Sequence, residues 1–218
     1  MSNCLVSLSE QAFFTIATSA LEAYRVDHSA DLDGTGIKLE TFGYLWGHLS
    51  STSMNETVYR ISQANVSTAA HRTGDSVTAR DDAYTLKNTF VESFFPELRF
   101  LGDFHSHPYS QERDAVRTEL DLERNEFYRF STADMRSAKA QQDACKDYRV
   151  GLVITVFERE EQVARSNMYL DDQSCIRFQY DSMTIWIKAY VWAGDDYRRK
   201  ADKMVTLICP PAGFSLQV

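Results

Sequence analysis

Two histidines one residue apart, in His105-Ser106-His107-Pro108, close the apolar run Phe100-Leu101-Gly102-Asp103-Phe104. Side chains two positions apart on a strand point to the same face. Two imidazoles therefore project together from a strand end, a geometry suited to holding one Zn²⁺. Pro108 is expected to end the strand, because proline cannot donate to a ladder. By themselves the two rings also read as exposed polar groups at a strand terminus. Ser131-Thr132-Ala133-Asp134 is a second polar signal. Its plain reading is helix capping, with Ser131 at the N-cap and Asp134 in the first turn, where a carboxylate suits the positive end of the dipole. The two readings are compatible: a capping serine at the mouth of a cleft has a fixed hydroxyl, and Asp134 one turn in can face the same cleft. The third piece is Glu40, at the start of Leu39-Glu40-Thr41-Phe42-Gly43-Tyr44-Leu45-Trp46-Gly47. A strand built only to pack has no use for that carboxylate; an exposed edge-strand glutamate is the alternative.

Together and in this order, the three pieces resemble the JAMM (JAB1/MPN/Mov34) metallopeptidases. Their pattern is a glutamate on an early strand, then His-x-His-Pro, then Ser-x-x-Asp. The setting is similar as well. A leading helix precedes the Glu-x-x-Gly-x-x-x-Gly strand, Ser76-Val77 and a helix precede the histidine strand, and a helix and a strong apolar strand follow Asp134. The likeness covers roughly residues 5–157. One departure stands out. The family usually places seven residues between the second histidine and the serine, and here residues 108–130 make 23. Ser110 has Arg113, not an aspartate, at the matching offset. Asp114 or Asp121 could replace Asp134 as ligand; Asp134 is preferred, because it alone has the serine three before it and the helix-then-strand continuation after it.

Carried over residue by residue, the resemblance implies His105, His107 and Asp134 as zinc ligands, with a fourth position left for water. Glu40 becomes the general base that later protonates the departing amine, and Ser131 a hydroxyl donor to the oxyanion. It also implies the MPN fold, a cytidine-deaminase-like mixed sheet flanked by helices. The family cleaves amide bonds after the C-terminal tail of a ubiquitin-like protein, so such a protein or its conjugates is the implied partner, together with activating and conjugating enzymes. The compact chain looks like bacterial, deubiquitinase-like members. Two alternatives stay open: a peptidase that matures a sulfur-carrier precursor, and a scaffold domain of the same fold without catalysis.

The elements that must position these groups are legible by pattern. Ser7-Leu8-Ser9-Glu10 reads as a capping box before a helix over 8–25 that carries Phe13, Ile16, Ala17, Ala20 and Tyr24 on one face. Residues 27–37, with Asp31-Leu32-Asp33-Gly34, read as a turn rather than a calcium loop, since the distal Glu is missing. Strands are expected at 38–47, 57–67, 99–105 and 150–157. Asp81 and Asp82 are candidate caps for a helix with Leu86, Phe90 and Phe94 at four-residue steps, stopped by Pro96. A helix is expected over 131–147 and a charged helical insertion beside the site over 109–130, either a solvated excursion or a lid or substrate-gripping element. β-prone segments follow at 162–170, 176–192 and 204–209, the second able to finish as helix. With no repeat or linker, residues 1–218 read as one α/β domain, its core at about 5–157 and its C-terminal strands within 158–218.

Composition bounds the rest. The 218 residues are 44% hydrophobic and 25% charged, enough apolar side chain for a sizeable core. With 23 Lys and Arg against 31 Asp and Glu, the formal net charge is −8, which disfavours contact with nucleic-acid phosphates. No apolar run approaches the ~20 residues that span a bilayer, and the first residues lack the layout of a secretory signal. A soluble, cytoplasmic protein with no membrane partner is expected. Cys4, Cys145, Cys175 and Cys209 have no short spacing and read as ordinary packed thiols. His28, His48 and His71 read as surface or packed histidines.

Overall fold

The structure, a computed structural model, describes residues 4–26, 38–72, 77–114, 116–160, 166–192 and 204–215. In chain order its elements are β1 (Cys4–Leu8), α1 (Glu10–Arg25), β2 (Phe42–Ser51), β3 (Thr57–Val66), β4 (His71–Arg72), β5 (Val77–Thr78), α2 (Asp81–Phe94), β6 (Arg99–Tyr109), α3 (Gln111–Asp114), α4 (Glu119–Arg124), α5 (Thr132–Ala144), β7 (Val150–Glu158), β8 (Met168–Leu170), β9 (Cys175–Tyr180), β10 (Met183–Val191) and β11 (Val205–Ile208). Nine strands form one mixed sheet in the order β11-β1-β3-β2-β6-β7-β10-β9-β8, and β4 pairs with β5 apart from it. The class is mixed α/β.

The alternation along β7 explains the layers. Val150, Leu152, Ile154 and Val156 pack with Ile16, Ala20 and Tyr24 of α1. Val153, between them, packs with Phe42, Tyr44, Trp46, Phe100 and Ala138 on the other face. A strand covered on both faces is apolar throughout, which is why Val-Gly-Leu-Val-Ile-Thr-Val-Phe is so clear in the sequence. β6 lies parallel to β7 with His105 opposite Val153 and His107 opposite Thr155, so both histidines face away from α1. The close approach of these strands needs Gly102. Its φ is +153°, and a Cβ there would sit 1.8 Å from the Val150 carbonyl oxygen.

Several expectations shift. Ser7 is in a strand, β1, that the pattern reading did not foresee. The N-cap of α1 is Ser9, whose Oγ accepts from the Ala12 N–H at 3.1 Å. The 38–47 strand starts later, at Phe42, and runs to Ser51. Pro108 does not end β6, which continues to Tyr109; the last partner on the β2 side is His105, so Pro108 lies beyond β2, where no ladder bond from it is needed. Asp81 and Asp82 occupy the first turn of α2, and the N-cap, Arg80, makes no side-chain cap. Residues 176–192 do not finish as helix: β9 and β10 form an antiparallel hairpin. Its turn includes Asp181 at φ +53°.

The insertion is helical, as α3 and α4, and it is packed rather than solvated. Val116, Leu122 and Tyr128 are buried against Phe157, Cys175 and Trp186. Cys4, Cys175 and Cys209 are buried free thiols and Cys145 is half-buried. His48 and His71 are exposed; His28 and Asp31-Leu32-Asp33-Gly34 lie outside the described residues. Among the described residues no helix is long and apolar enough to cross a membrane.

Candidate metal centre

β6 holds the two imidazoles as its period of two requires. His105 Nε2 and His107 Nε2 face each other at 3.1 Å, and each residue is only 7% exposed. The rings are wedged by aromatics: Phe130 lies 5.0 Å from His105 between ring centroids, and Tyr109 meets His107 edge-on at 6.0 Å. The Phe127 carbonyl lies 3.5 Å from His107 Nδ1. An Nδ1–H directed at a backbone carbonyl leaves Nε2 as the lone-pair nitrogen.

α5 delivers the third group. Ser131 and Asp134 form a full capping box: the Asp134 N–H donates to Ser131 Oγ at 3.2 Å, and the Ser131 N–H donates to Asp134 Oδ2 at 2.7 Å. The same carboxylate points at the histidines, with Oδ1 3.4 Å from His105 Nε2 and Oδ2 3.2 Å from His107 Nε2. The capping and site readings of this segment are therefore both satisfied by one rotamer. Burial pushes the His105 pKa down, against the pull of Asp134, which favours the neutral ring. Burial alone would raise the Asp134 pKa, but the two histidines win and hold its carboxyl well below the usual range.

Among the described residues, His105, His107 and Asp134 form the group able to hold a metal ion, their donor atoms lying within 4.8 Å of one another. By donor type, two imidazole nitrogens and one carboxylate suit a divalent ion of the zinc type. The alternative aspartates are otherwise engaged. Asp121 caps α4 in a box with Thr118. Asp114 Oδ2 accepts from the Ser110 N–H at 2.8 Å, at the edge of the cleft.

The cleft has a volume of about 490 Å³ and is lined by both histidines, Ser131, Asp134 and Glu40. Glu40 sits just before β2 rather than in it and is half-buried. Its segment is fastened at both ends: the Leu39 N–H donates to the Ala23 carbonyl at 3.0 Å, and Thr41 is bonded to Ser106. The Ser106 N–H donates to the Thr41 carbonyl at 2.9 Å, and Ser106 Oγ accepts from the Thr41 N–H at 2.8 Å. The spacer serine thus ties Glu40 to the histidine strand. Sequence reasoning passed over it, although its place between two same-face histidines already turned it away from them.

Asp103, two residues before His105 on the same face, was also missed. It lines the cleft floor, accepts from the Tyr148 hydroxyl at 2.9 Å, and has its pKa pushed up to about 7, chiefly by burial. Trp46, on the same segment as Glu40, is buried and donates to Asn88 Oδ1 at 3.3 Å. No protein-family model matches this chain, and no curated protein proves similar to it.

Proposed function

We propose that the chain is a zinc-dependent peptidase of the JAMM type, with an MPN fold, that hydrolyses the amide bond after the C-terminal tail of a ubiquitin-like protein. The observation that carries this reading is the convergence of His105, His107 and Asp134 within 4.8 Å in a cleft that Glu40 and Ser131 also line. Three protein ligands are one short of a tetrahedral structural site and match the count of a catalytic one. When bound, the ion lowers the pKa of water from about 16 to about 7 and polarises a carbonyl oxygen.

The chain's own residues do the rest. The Glu40 carboxylate accepts a proton from the attacking water and gives it to the departing amine, so that one group acts as base and then acid. Ser131 Oγ accepts a hydrogen bond from Asp134 N–H, which fixes the oxygen and leaves the hydroxyl hydrogen to donate to the developing oxyanion. A donor of this kind is worth about 3–4 kcal/mol in the transition state. Val77 and Thr78 of β5 line the cleft, and an extended tail laid along that short strand binds in strand-like fashion.

The test is metal analysis of purified protein followed by incubation with two substrates, a linear ubiquitin-like fusion and a lysine-linked conjugate. We expect one equivalent of zinc, cleavage after the tail, and loss of both on chelation. Preference for the linear fusion would point to precursor maturation instead of deconjugation. Stoichiometric zinc with no cleavage of either substrate would favour a non-catalytic scaffold.

A further inference from the structure

His105 and His107 are fixed by a central strand, but Asp134 arrives at the end of a long insertion, and a ligand at the end of a long excursion needs its own anchor. Residues 127–130, the last four before the α5 cap, each contribute to one. The Phe127 carbonyl lies 3.5 Å from His107 Nδ1. The Tyr128 hydroxyl donates to Asp171 Oδ1 at 2.9 Å. Arg129 donates to the same carboxylate twice, from Nε to Oδ2 at 2.9 Å and from Nη2 to Oδ1 at 2.6 Å. The Phe130 N–H donates to the Tyr190 hydroxyl at 2.9 Å, and its ring stacks on Tyr190 at 4.3 Å while lying against His105. Ser131 and its box with Asp134 follow directly.

Asp171 is the hub of this strap. Lys188 Nζ, on β10, lies 2.9 Å from Asp171 Oδ2 and also donates to Ser174 Oγ at 2.5 Å, so the carboxylate is bolted to the sheet as well as to the insertion. Both side chains are nearly buried, at 13% and 10% exposure, where a bidentate arginine fork and a buried lysine hold geometry more firmly than surface pairs do. The turn that aims the carboxylate is itself unusual. Asp171, Asp172 and Gln173 have φ of +50°, +52° and +74°, three successive side-chain-bearing residues in the left-handed region. Backbone of that kind persists only where its surroundings over-determine it.

We propose that Asp171 is a positioning residue for the metal centre, clamping residues 128–130 so that Asp134 meets the histidines. This rests on the zinc reading above. Asp171 touches neither ligand nor substrate; it acts through Arg129, Tyr128 and the α5 cap.

The test measures zinc affinity by chelator competition, with the visible spectrum of the cobalt-loaded protein as a report on ligand geometry. Asp171→Asn should lower zinc affinity by up to about 10-fold, the low end of the range for partners bonded directly to a metal ligand, because Asp171 acts one step further out, and it should alter the cobalt spectrum. Ser9→Ala, which removes the α1 cap at a residue outside the cleft and the strap, serves as a destabilised control and should leave both unchanged. Zinc bound as tightly by Asp171→Asn as by the wild type overturns the strap while the zinc reading stands. A wild type that binds no zinc overturns both. If Asp171→Asn does not fold, Arg129→Gln removes the fork to Asp171 from the insertion side, at a side chain that is 36% exposed; unchanged affinity there overturns the strap equally.

Discussion

Ser106 and Thr41 exchange two hydrogen bonds, at 2.9 and 2.8 Å, across the gap between the histidine strand and the segment that carries Glu40. Ser106 is 1% exposed and Thr41 is equally buried. Replacing the serine by alanine leaves the Thr41 N–H without its acceptor in a dry site, a loss of about 1–3 kcal/mol. Ser106→Ala should therefore lower stability by that order in urea denaturation, reduce turnover, and still carry a full equivalent of zinc. Loss of the metal along with the hydroxyl would mean that Ser106 supports the histidines rather than Glu40.

Glu40 lines the same cleft but stands outside the group of donor atoms formed by His105, His107 and Asp134. Glu40→Gln keeps the shape of the side chain and removes its basicity. Turnover should fall by about 10²–10⁴, the range for a positioned acid–base group, with zinc content unaltered by metal analysis. Full activity in this variant would remove Glu40 from the chemistry.

The histidine pair was legible because a strand's period of two leaves one arrangement for His-x-His. Asp134 was legible because a capping box specifies its own geometry, and the structure gives that carboxylate its cap bond and its two histidine contacts together. Glu40 was placed on the right cleft-bordering segment but in the wrong local structure, since the strand starts at Phe42. Nothing local distinguishes the first paired residue of a strand from the extended residues before it. The strap was invisible for a deeper reason: Asp171 lies far along the chain from Arg129, and a pairing between a loop aspartate and an insertion arginine has no period. β1 was missed although Cys4-Leu5-Val6 is apolar, because Ser7 and Glu10 also matched a capping box and the longer pattern prevailed.

The cap that Ser131 makes and the catalytic role proposed for it can be separated. As N-cap of α5 it accepts from Asp134 N–H; as a cleft hydroxyl it is the proposed oxyanion donor. Alanine at an N-cap costs about 1 kcal/mol, whereas glycine costs only a few tenths. Ser131→Ala and Ser131→Gly should thus differ in thermal stability yet share a drop in kcat of about 10²–10³. If the kcat loss tracks stability instead, being small in the glycine variant, the hydroxyl serves only the helix.

Acid stability should report on Asp171. Burial pushes its pKa up, but Arg129 and then Lys188 prevail and hold it near 2, below the usual carboxylate value of about 3.9. A carboxyl with a depressed folded-state pKa stabilises the fold fully above its unfolded pKa, and that contribution disappears as pH falls through the folded value. Wild-type stability should therefore decline between about pH 4 and pH 2, and Asp171→Asn should lack that part of the decline. Denaturant titrations at pH 5, 4 and 3 make the comparison. Parallel curves for the two proteins would show that Asp171 is not ionised against Arg129 and Lys188 in the fold.

The apolar steps of α2 mislead in an instructive way. Leu86, Phe90 and Phe94 recur every four residues, as a core-facing stripe does, yet they are 71%, 54% and 67% exposed. The helix instead lays Tyr84 and Val91 against the aromatic cluster around Trp46 and Phe100. Spacing identifies a helix face but not which of two apolar faces the sheet will take. Leu86→Lys should consequently change stability by less than about 0.5 kcal/mol, as surface substitutions do, while Ile154→Ala on β7 should cost about 2–5 kcal/mol. Urea denaturation of both variants decides the matter. A Leu86→Lys cost comparable to that of Ile154→Ala would put the Leu86 face in the core and require α2 to be turned about its axis.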